Sequence, residues 1–439
     1  MHAEIAREIV TRNDWTTAYA NGVPVQSSSR ALDWSIAASY KLFGVADWSA
    51  RMPIALCVLA LAVIVFFFGR SLFVWNAAGL YAALIVLVWP GTFLATRDLS
   101  AAPLLCLAAT LLAFTLWQMI LVQKLPLWSA AAVTVLVCAI ALLTGNGQAC
   151  FLLIVIALAV WVAHTWDQPG SRSGWLLSFW ALSAVVFIEA LESPPHNLWF
   201  WISPVPPLAL LLGGWLADKE AFAGKATLRR IAYSILGVCL VLAGIALVFA
   251  LHGPANFAVF RQSVTVTAGT TRIPLLILAA ALLAGATGYL ISILRGKARI
   301  ANCFLAGMLG GVTVAIQAAL VIGSPFVSSQ ILADAIRPEL EPTDLVVIDG
   351  RYPDASSFAF YLERPILIAL PAGSTPPTLV SRLPVGVVSV DEAWKGTARV
   401  YLWTRTGRPR PVPGQSYVVA SSGGKEILSN QPNSGGAAF

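Results

Sequence analysis

The chain has 439 residues, 58% of them hydrophobic and 11% charged, with a mean hydropathy of +0.77. Soluble domains carry roughly 25% charged residues, so water cannot solvate a surface this poor in charge, and the bilayer is the solvent that fits. The net charge of +7 is assigned to loops that orient helices. It does not indicate nucleic acid as a partner, because no recognition motif accompanies it.

The first 50 residues are not membrane-spanning. MHAEIAREIVTRNDW has apolar Ala3, Ile5, Ala6 and Ile9, and Glu4–Arg7 and Glu8–Arg12 at helical spacing, which predicts a short amphipathic helix. ANGVPVQSSS is a loop with Asn-Gly and Pro as breakers. RALDWSIAASYKLFG is a second amphipathic helix ending at Gly44. Both helices are expected to lie in the membrane interface.

Ten apolar runs follow, near 53–69, 76–94, 100–122, 127–144, 147–163, 174–191, 198–217, 231–251, 273–294 and 300–323. Each approaches the length needed to cross ~30 Å of hydrocarbon. Pro204, Pro206 and Pro207 predict a kinked or broken helix in the 198–217 run. Trp75, Trp128, Trp166, Trp175 and Trp215 lie near run ends, as in an interfacial aromatic belt. Cys57, Cys106, Cys138, Cys150, Cys239 and Cys303 all fall inside apolar runs and read as small buried hydrophobes. Neither they nor the four scattered histidines have metal-ligand spacing.

Loop charge sets the orientation. Arg70, Lys124, Arg172, Lys219, Lys225, Arg229, Arg230, Arg295, Lys297 and Arg299 fall in one set of alternating loops, against Arg97, Arg261 and Arg272 in the other. The positive-inside rule makes the first set cytoplasmic. Residues 1–50 and the C-terminal region then face outward, from an inner (plasma) membrane crossed many times.

From about residue 325 the pattern changes. LVVID (345–349), ILIAL (366–370), VGVVSV (385–390), ARVYLWT (398–404), YVVAS (417–421) and KEILSN (425–430) are short strand-like runs bounded by turn residues. SSQILADAI and ASSFAFYL have helical spacing. The expected fold is an α-helical polytopic membrane protein with a small outward C-terminal α/β domain. Its parts are 1–50 (juxtamembrane helices and loop), 51–324 (about ten transmembrane helices) and 325–439 (the outward domain). PNSGGAAF is a frayed end.

HAEIAREIVTRNDWTTAYANGV and ASYKLFGVADWSARMP resemble the first outward loop of family 39 membrane glycosyltransferases. That family includes the protein O-mannosyltransferases and the bacterial lipid A aminoarabinose transferase. SPFVSSQILADAI, VVIDGRYPDASSFAFYLERP, ARVYLWTRTG and SGGKEILSN are similar to the outward domain of one bacterial branch of it. The resemblance implies a C-type glycosyltransferase whose donor is a polyprenyl-phosphate-linked sugar and whose acceptor is an outward-facing lipid or envelope glycan. It implies no nucleotide, and it leaves a divalent cation open.

The chain also departs from the family pattern. The family places a transmembrane helix and an acidic pair before the segment that starts here at His2, which implies a misassigned or truncated start, or a missing base. Ser27, Ser28, Ser29 and Arg30 stand where the family has a Glu-Lys pair before Pro, and Gly145 where it has a second lysine. A further outward region is absent between His164 and Ser173. The alternative implied is an inactive relative that binds a lipid-linked sugar or a partner in envelope assembly.

Site candidates follow from the same comparison. Asp98, in LATRDLSAAP, resembles the second family carboxylate and is the candidate catalytic base; alignment on Thr96-Arg97 instead puts that acid at Ala102, one turn on. The plainer alternative for Asp98 is a helix N-terminal acid. Arg97 and Arg30 are candidate phosphate partners, and Arg51, which like Arg30 borders the interface, could also meet phosphate; the alternative for each is a snorkelling or interfacial anchor. His2, Glu4 and Arg7 are candidate substrate contacts, against the alternative that Glu4 and Arg7 form a surface ion pair. Glu189, Glu192 and His196 read as a solvated loop, and Tyr352, Tyr361 and Arg364 as structural.

Overall fold

A computed structural model describes residues 1–27, 29–73, 75–97, 99–120, 122, 126–143, 180, 202, 204–222, 225–252, 256–259, 262–265, 268–350, 352–370, 387–406 and 412–432. They form two compact units. One comprises Met1–Ser27, Ala255–Thr267 and Ala319–Phe439; the other comprises Ser28–Pro254 and Ala268–Ala318. In chain order, the first unit holds α1 (His2–Arg12), the short strands β1 (Tyr19–Ala20) and β2 (Val23–Pro24) and, later in the chain, the strands β3 (Asn256–Val259) and β4 (Gln262–Thr265). The helical unit holds α2 (Arg30–Phe43), α3 (Asp47–Leu72), α4 (Asn76–Val88), α5 (Pro90–Arg97), α6 (Ala102–Ile120), α7 (Leu127–Leu143), α8 (Val205–Phe222), α9 (Lys225–His252), α10 (Ala268–Leu294) and most of α11 (Ala298–Val327).

Among the described residues, five helices are long and apolar enough to cross a membrane, or six if α4 and α5 count as one span. The expected runs at 147–163 and 174–191 lie outside the described residues, Trp180 excepted. The 76–94 run is not one straight helix. It breaks at Trp89, and the two pieces meet at 46°. Pro90 causes the break, because it lacks an N–H and its ring clashes with the preceding turn. The freed carbonyls find other donors: the Thr92 hydroxyl lies 2.7 Å from both the Val86 and Trp89 oxygens. The Thr313 hydroxyl of α11 donates to Val88 O at 3.3 Å. In the described part of the 198–217 run, a turn at Pro204 precedes α8. Pro206 and Pro207 sit in the first turn of α8, where their missing N–H groups have no intrahelical partner to lose.

Helix packing in this unit depends on small residues. A Cβ on Gly79 of α4 would lie 2.3 Å from Phe66 O of α3, and one on Gly69 would lie 2.7 Å from Gly79 Cα. On α8, a Cβ on Gly213 would meet Ala78 O at 2.6 Å. Around this contact a core forms from Leu61, Val65 and Phe68 of α3, Ala82 and Val86 of α4, Leu105 and Leu112 of α6 and Leu210 of α8. Trp48, Trp75, Trp128 and Trp215 are exposed, as an interfacial belt requires. Cys106 and Cys239 are buried, whereas Cys138 and Cys303 are exposed. Burial therefore does not hold for all the cysteines; in a bilayer an apolar thiol is also stable facing lipid.

The other unit is built on a six-stranded mixed sheet of order β7-β6-β5-β8-β10-β9. Its strands are β5 (Leu345–Ile348), β6 (Leu367–Leu370), β7 (Val387–Ser389), β8 (Val400–Arg405), β9 (Tyr417–Ser422) and β10 (Lys425–Ser429), all six of the sequence-predicted runs. β7, β6, β5 and β8 are parallel, and the β9–β10 hairpin adds antiparallel to β8. Helices α12 (Gln330–Ile336), α13 (Tyr352–Leu362) and α14 (Val390–Lys395) accompany the sheet. The hairpin turn uses Gly423 and Gly424, both at positive φ, as a two-residue turn demands. A Cβ on Gly423 would lie 2.0 Å from Pro325 O, so the turn is seated on the last residues of α11. Beside it, Lys425 Nζ donates to Ser328 O at 3.2 Å.

Gly79→Leu is expected to drive a side chain into backbone and lower stability by roughly 3 kcal/mol, the upper end of overpacking costs. Gly237→Leu, with open space around its Cα, leaves the melting temperature unchanged in the same detergent. Burial, with Arg405 nearby, lowers the Lys425 ammonium from 10.5 to about 8. Between those values the unfolded chain holds the extra proton, so stability rises with pH over that window and is flat below it. Lys425→Met removes that rise from thermal melts.

Candidate functional site

Helix α1 caps at Asn13 in the left-handed region, at φ 54°, where Asn is tolerated. Its apolar face, Ile5, Ala6 and Ile9, is buried within the unit that contains the sheet, so this face of α1 packs on protein. Glu4 is 1% exposed and is not half of a surface ion pair. Its Oε1 accepts from Asn21 N at 3.0 Å and from the Tyr352 hydroxyl. Its Oε2 has no hydrogen-bond partner. Arg7 donates to Phe360 O at 3.0 Å and lies over the Phe360 ring. Only Glu8–Arg12 forms the expected surface pair, at 2.6 Å. His2 is half-buried at the helix start.

Asn21 clamps the same unit by pairing both ways with one residue: its Nδ2 donates to Ile366 O at 2.9 Å, and Ile366 N donates to its Oδ1 at 3.0 Å. The Asn-Gly dipeptide marks the β1–β2 turn, but nothing local indicates that its side chain binds a residue 345 positions away.

In the helical unit, Ser29 caps α2 by accepting from Leu32 N at 3.4 Å, and Arg30 follows it, exposed. The turn into α3 is held by Ser49, whose Oγ lies 2.7 Å from Gly44 O and accepts from Ala46 N at 3.1 Å. Ser39 Oγ donates to Ser49 O at 2.6 Å. Two residues later α3 carries Arg51. Arg97, the last residue of α5, lies with its guanidinium over the Phe93 ring, 5.3 Å from the centroid, and close enough to Arg51 for the like charges to repel. Two guanidiniums within electrostatic range of each other favour a multiply charged anion such as a phosphate between them. Asp98 lies outside the described residues, as do Gly145, Glu189, Glu192 and His196. Asp33, in the first turn of α2, is 1% exposed. Sequence reading passed it over because an acid in a first turn is common. Among the described residues no three His, Cys, Asp or Glu side chains cluster as a metal site requires.

Arg97 thus lies within electrostatic range of Arg51, and Glu4 and Arg7 form hydrogen bonds within the sheet-bearing unit. His2, Glu4 and Arg7 belong to one unit, Arg30 and Arg97 to the other.

The arrangement of helices and sheet is found in solved structures. The crystal structure of ArnT from Cupriavidus metallidurans bound to undecaprenyl phosphate superposes with a TM-score of 0.79, over 100% of this chain and 94% of that one, at 16% identity. The apo ArnT structure gives 0.73, over 98% and 92%, at 17% identity. This chain has the fold of a C-type membrane glycosyltransferase. The model of the dolichyl-phosphate-mannose-protein mannosyltransferase family matches residues 29–189, which include α2, α3, Arg51, Arg97 and Asp98. No curated protein matches the chain by sequence. The family model and the fold agree with the resemblance carried by the N-terminal segment.

Burial raises the Glu4 carboxyl above its ordinary 4.5, against the opposing pull of the Tyr352 hydrogen bond. The folded state then holds this proton more tightly than the unfolded one. Docking of α1 contributes most below 4.5 and weakens as pH rises from there through the raised value. Glu4→Gln is expected to flatten this acid-to-neutral slope in thermal melts, and Tyr352→Phe to steepen it.

Proposed function

We propose that this protein moves a hexosyl or pentosyl group from a polyprenyl-phosphate carrier to an oxygen of an outward-facing lipid or envelope-glycan acceptor. The observation that supports this most is the fold it shares along its whole length with ArnT, a protein crystallised with undecaprenyl phosphate. The Arg51–Arg97 pair supplies the charge such a carrier needs.

In the proposed step the acceptor oxygen attacks the anomeric carbon, and the bond from that carbon to the phosphate oxygen breaks. The bonding pair leaves with the lipid phosphate. The acceptor proton passes to a carboxylate, for which Asp98 is the candidate. Arg97 and Arg51 would neutralise the charge that gathers on the phosphate as the bond breaks, where electrostatic stabilisation counts most. Arg30 would act at the same stage. The positive-inside distribution supports an outward placement of the C-terminal domain in the plasma membrane.

The test is sugar transfer by purified protein in liposomes, with radiolabelled polyprenyl-phosphate sugars and a total lipid and glycan extract as acceptor. Asp98→Asn is expected to lower turnover about 10²- to 10⁴-fold, the worth of a general base. Arg97→Ala and Arg51→Ala are each expected to weaken donor use roughly 10- to 100-fold, the worth of a charge-assisted hydrogen bond. Transfer that survives Asp98→Asn moves the base to another acid, with Asp33 the next to test. Donor binding without transfer by any form replaces the enzyme with a non-catalytic binder of lipid-linked sugar.

A further inference from the structure

At the end of the helical unit away from Arg51, four helices leave a shallow recess open to its surroundings. Phe73, just past the last turn of α3, packs against Gly214 there, which fixes the recess at the opposite end of α3 from Arg51. Trp215 and Lys219 of α8, Ile231 of α9, Tyr289 and Ile293 of α10 and Asn302 of α11 line it. Its walls are mostly apolar, and its polar groups are few: the Lys219 ammonium, which lies over the Trp215 ring at 5.9 Å, the Asn302 amide and the Tyr289 hydroxyl.

The residues next to the lining ones are cations. Arg229 and Arg230 fall between the lining residues Leu228 and Ile231, Arg295 follows Ile293 by two positions, and Lys297 and Arg299 flank the lining residue Ala298. All five are exposed. Against them the same end carries Asp218, which is exposed, and Glu220 in the sequence. Helix α11 begins at Ala298, so its first-turn N–H groups add positive potential at the rim of the recess.

We propose that this recess is a binding site for an anionic glycerophospholipid of the cytoplasmic leaflet. One acyl chain lies along the apolar wall, and the phosphate is held by Lys219, Asn302 and the cationic rim. Charge complementarity selects the occupant. A zwitterionic lipid offers no net charge to so many cations, and free phosphate offers nothing to the tryptophan and isoleucine walls. The site lies at the other end of the bundle from the Arg51–Arg97 pair and does not depend on the proposed transferase activity.

The test compares the thermal stability of the purified, delipidated protein with added phosphatidylglycerol, phosphatidylcholine or inorganic phosphate. Phosphatidylglycerol alone is expected to raise the melting temperature by several degrees. Lys219→Ala combined with Arg229→Ala and Arg299→Ala is expected to weaken the apparent affinity at least tenfold. An equal rise with phosphatidylcholine, or an undiminished rise in the triple variant, overturns the proposal. A rise with inorganic phosphate alone reduces the recess to an ion site and also overturns it. Should the triple variant not fold, native mass spectrometry of the wild-type protein decides. A retained adduct of phosphatidylglycerol, resistant to competition by phosphatidylcholine, is expected; its absence overturns the site.

Discussion

A backbone carbonyl or amide left unpaired in hydrocarbon costs several kcal/mol, and the helical unit is organised around avoiding that cost. Pro90 would leave carbonyls without donors in the middle of a span. Thr92 turns back to Val86 and Trp89, and Thr313 reaches Val88 from α11. The 46° bend therefore persists with its polar groups paired, and α5 is re-aimed so that it ends at Arg97. At the start of α10, Arg272 donates to Ala250 O at 3.1 Å, closing one of the open carbonyls near the end of α9.

Close approach of the helices follows from the same solvent. Lipid tails are as apolar as leucine, so there is little hydrophobic gain in bringing two helices together. Contact has to come from dispersion, which falls off within an ångström of the optimum. Glycine lets the backbones touch: Gly69 against Gly79, Gly213 against Ala78, and Gly311, whose added Cβ would lie 2.4 Å from Ala281 Cβ. The larger side chains Phe68, Phe114, Trp117 and Trp180 fill the space beside these contacts.

The sheet-bearing unit is held together by water-soluble physics. Its parallel strands bury Val347, Val400 and Leu402, and α1 closes onto the unit through buried hydrogen bonds rather than through surface charge. Glu4 is the costly element there. Its carboxylate is buried with one oxygen unpartnered, and burial raises its proton affinity. Tyr352 and Asn21 recover part of that cost, and the hydroxyl of Tyr352 is in turn pushed well above its ordinary range, first by burial and then by Glu4.

Period and composition alone determined the membrane class, five of the apolar spans, the Gly44 stop of α2 and all six strands of the C-terminal sheet. These are local properties: a run of apolar residues, an alternation, a turn residue. The bilayer and the pleat impose them on consecutive residues. Tertiary structure decided whatever joins distant residues. Glu4 meets Tyr352 across 348 positions and Asn21 meets Ile366 across 345, so α1 belongs with the sheet and not with α2, its neighbour in sequence. Arg97 comes within electrostatic range of Arg51 although α4 and the bend before α5 lie between them in sequence. No periodicity encodes such pairings, because a side chain's burial and its partners depend on which elements pack together, and that choice is made by the whole fold.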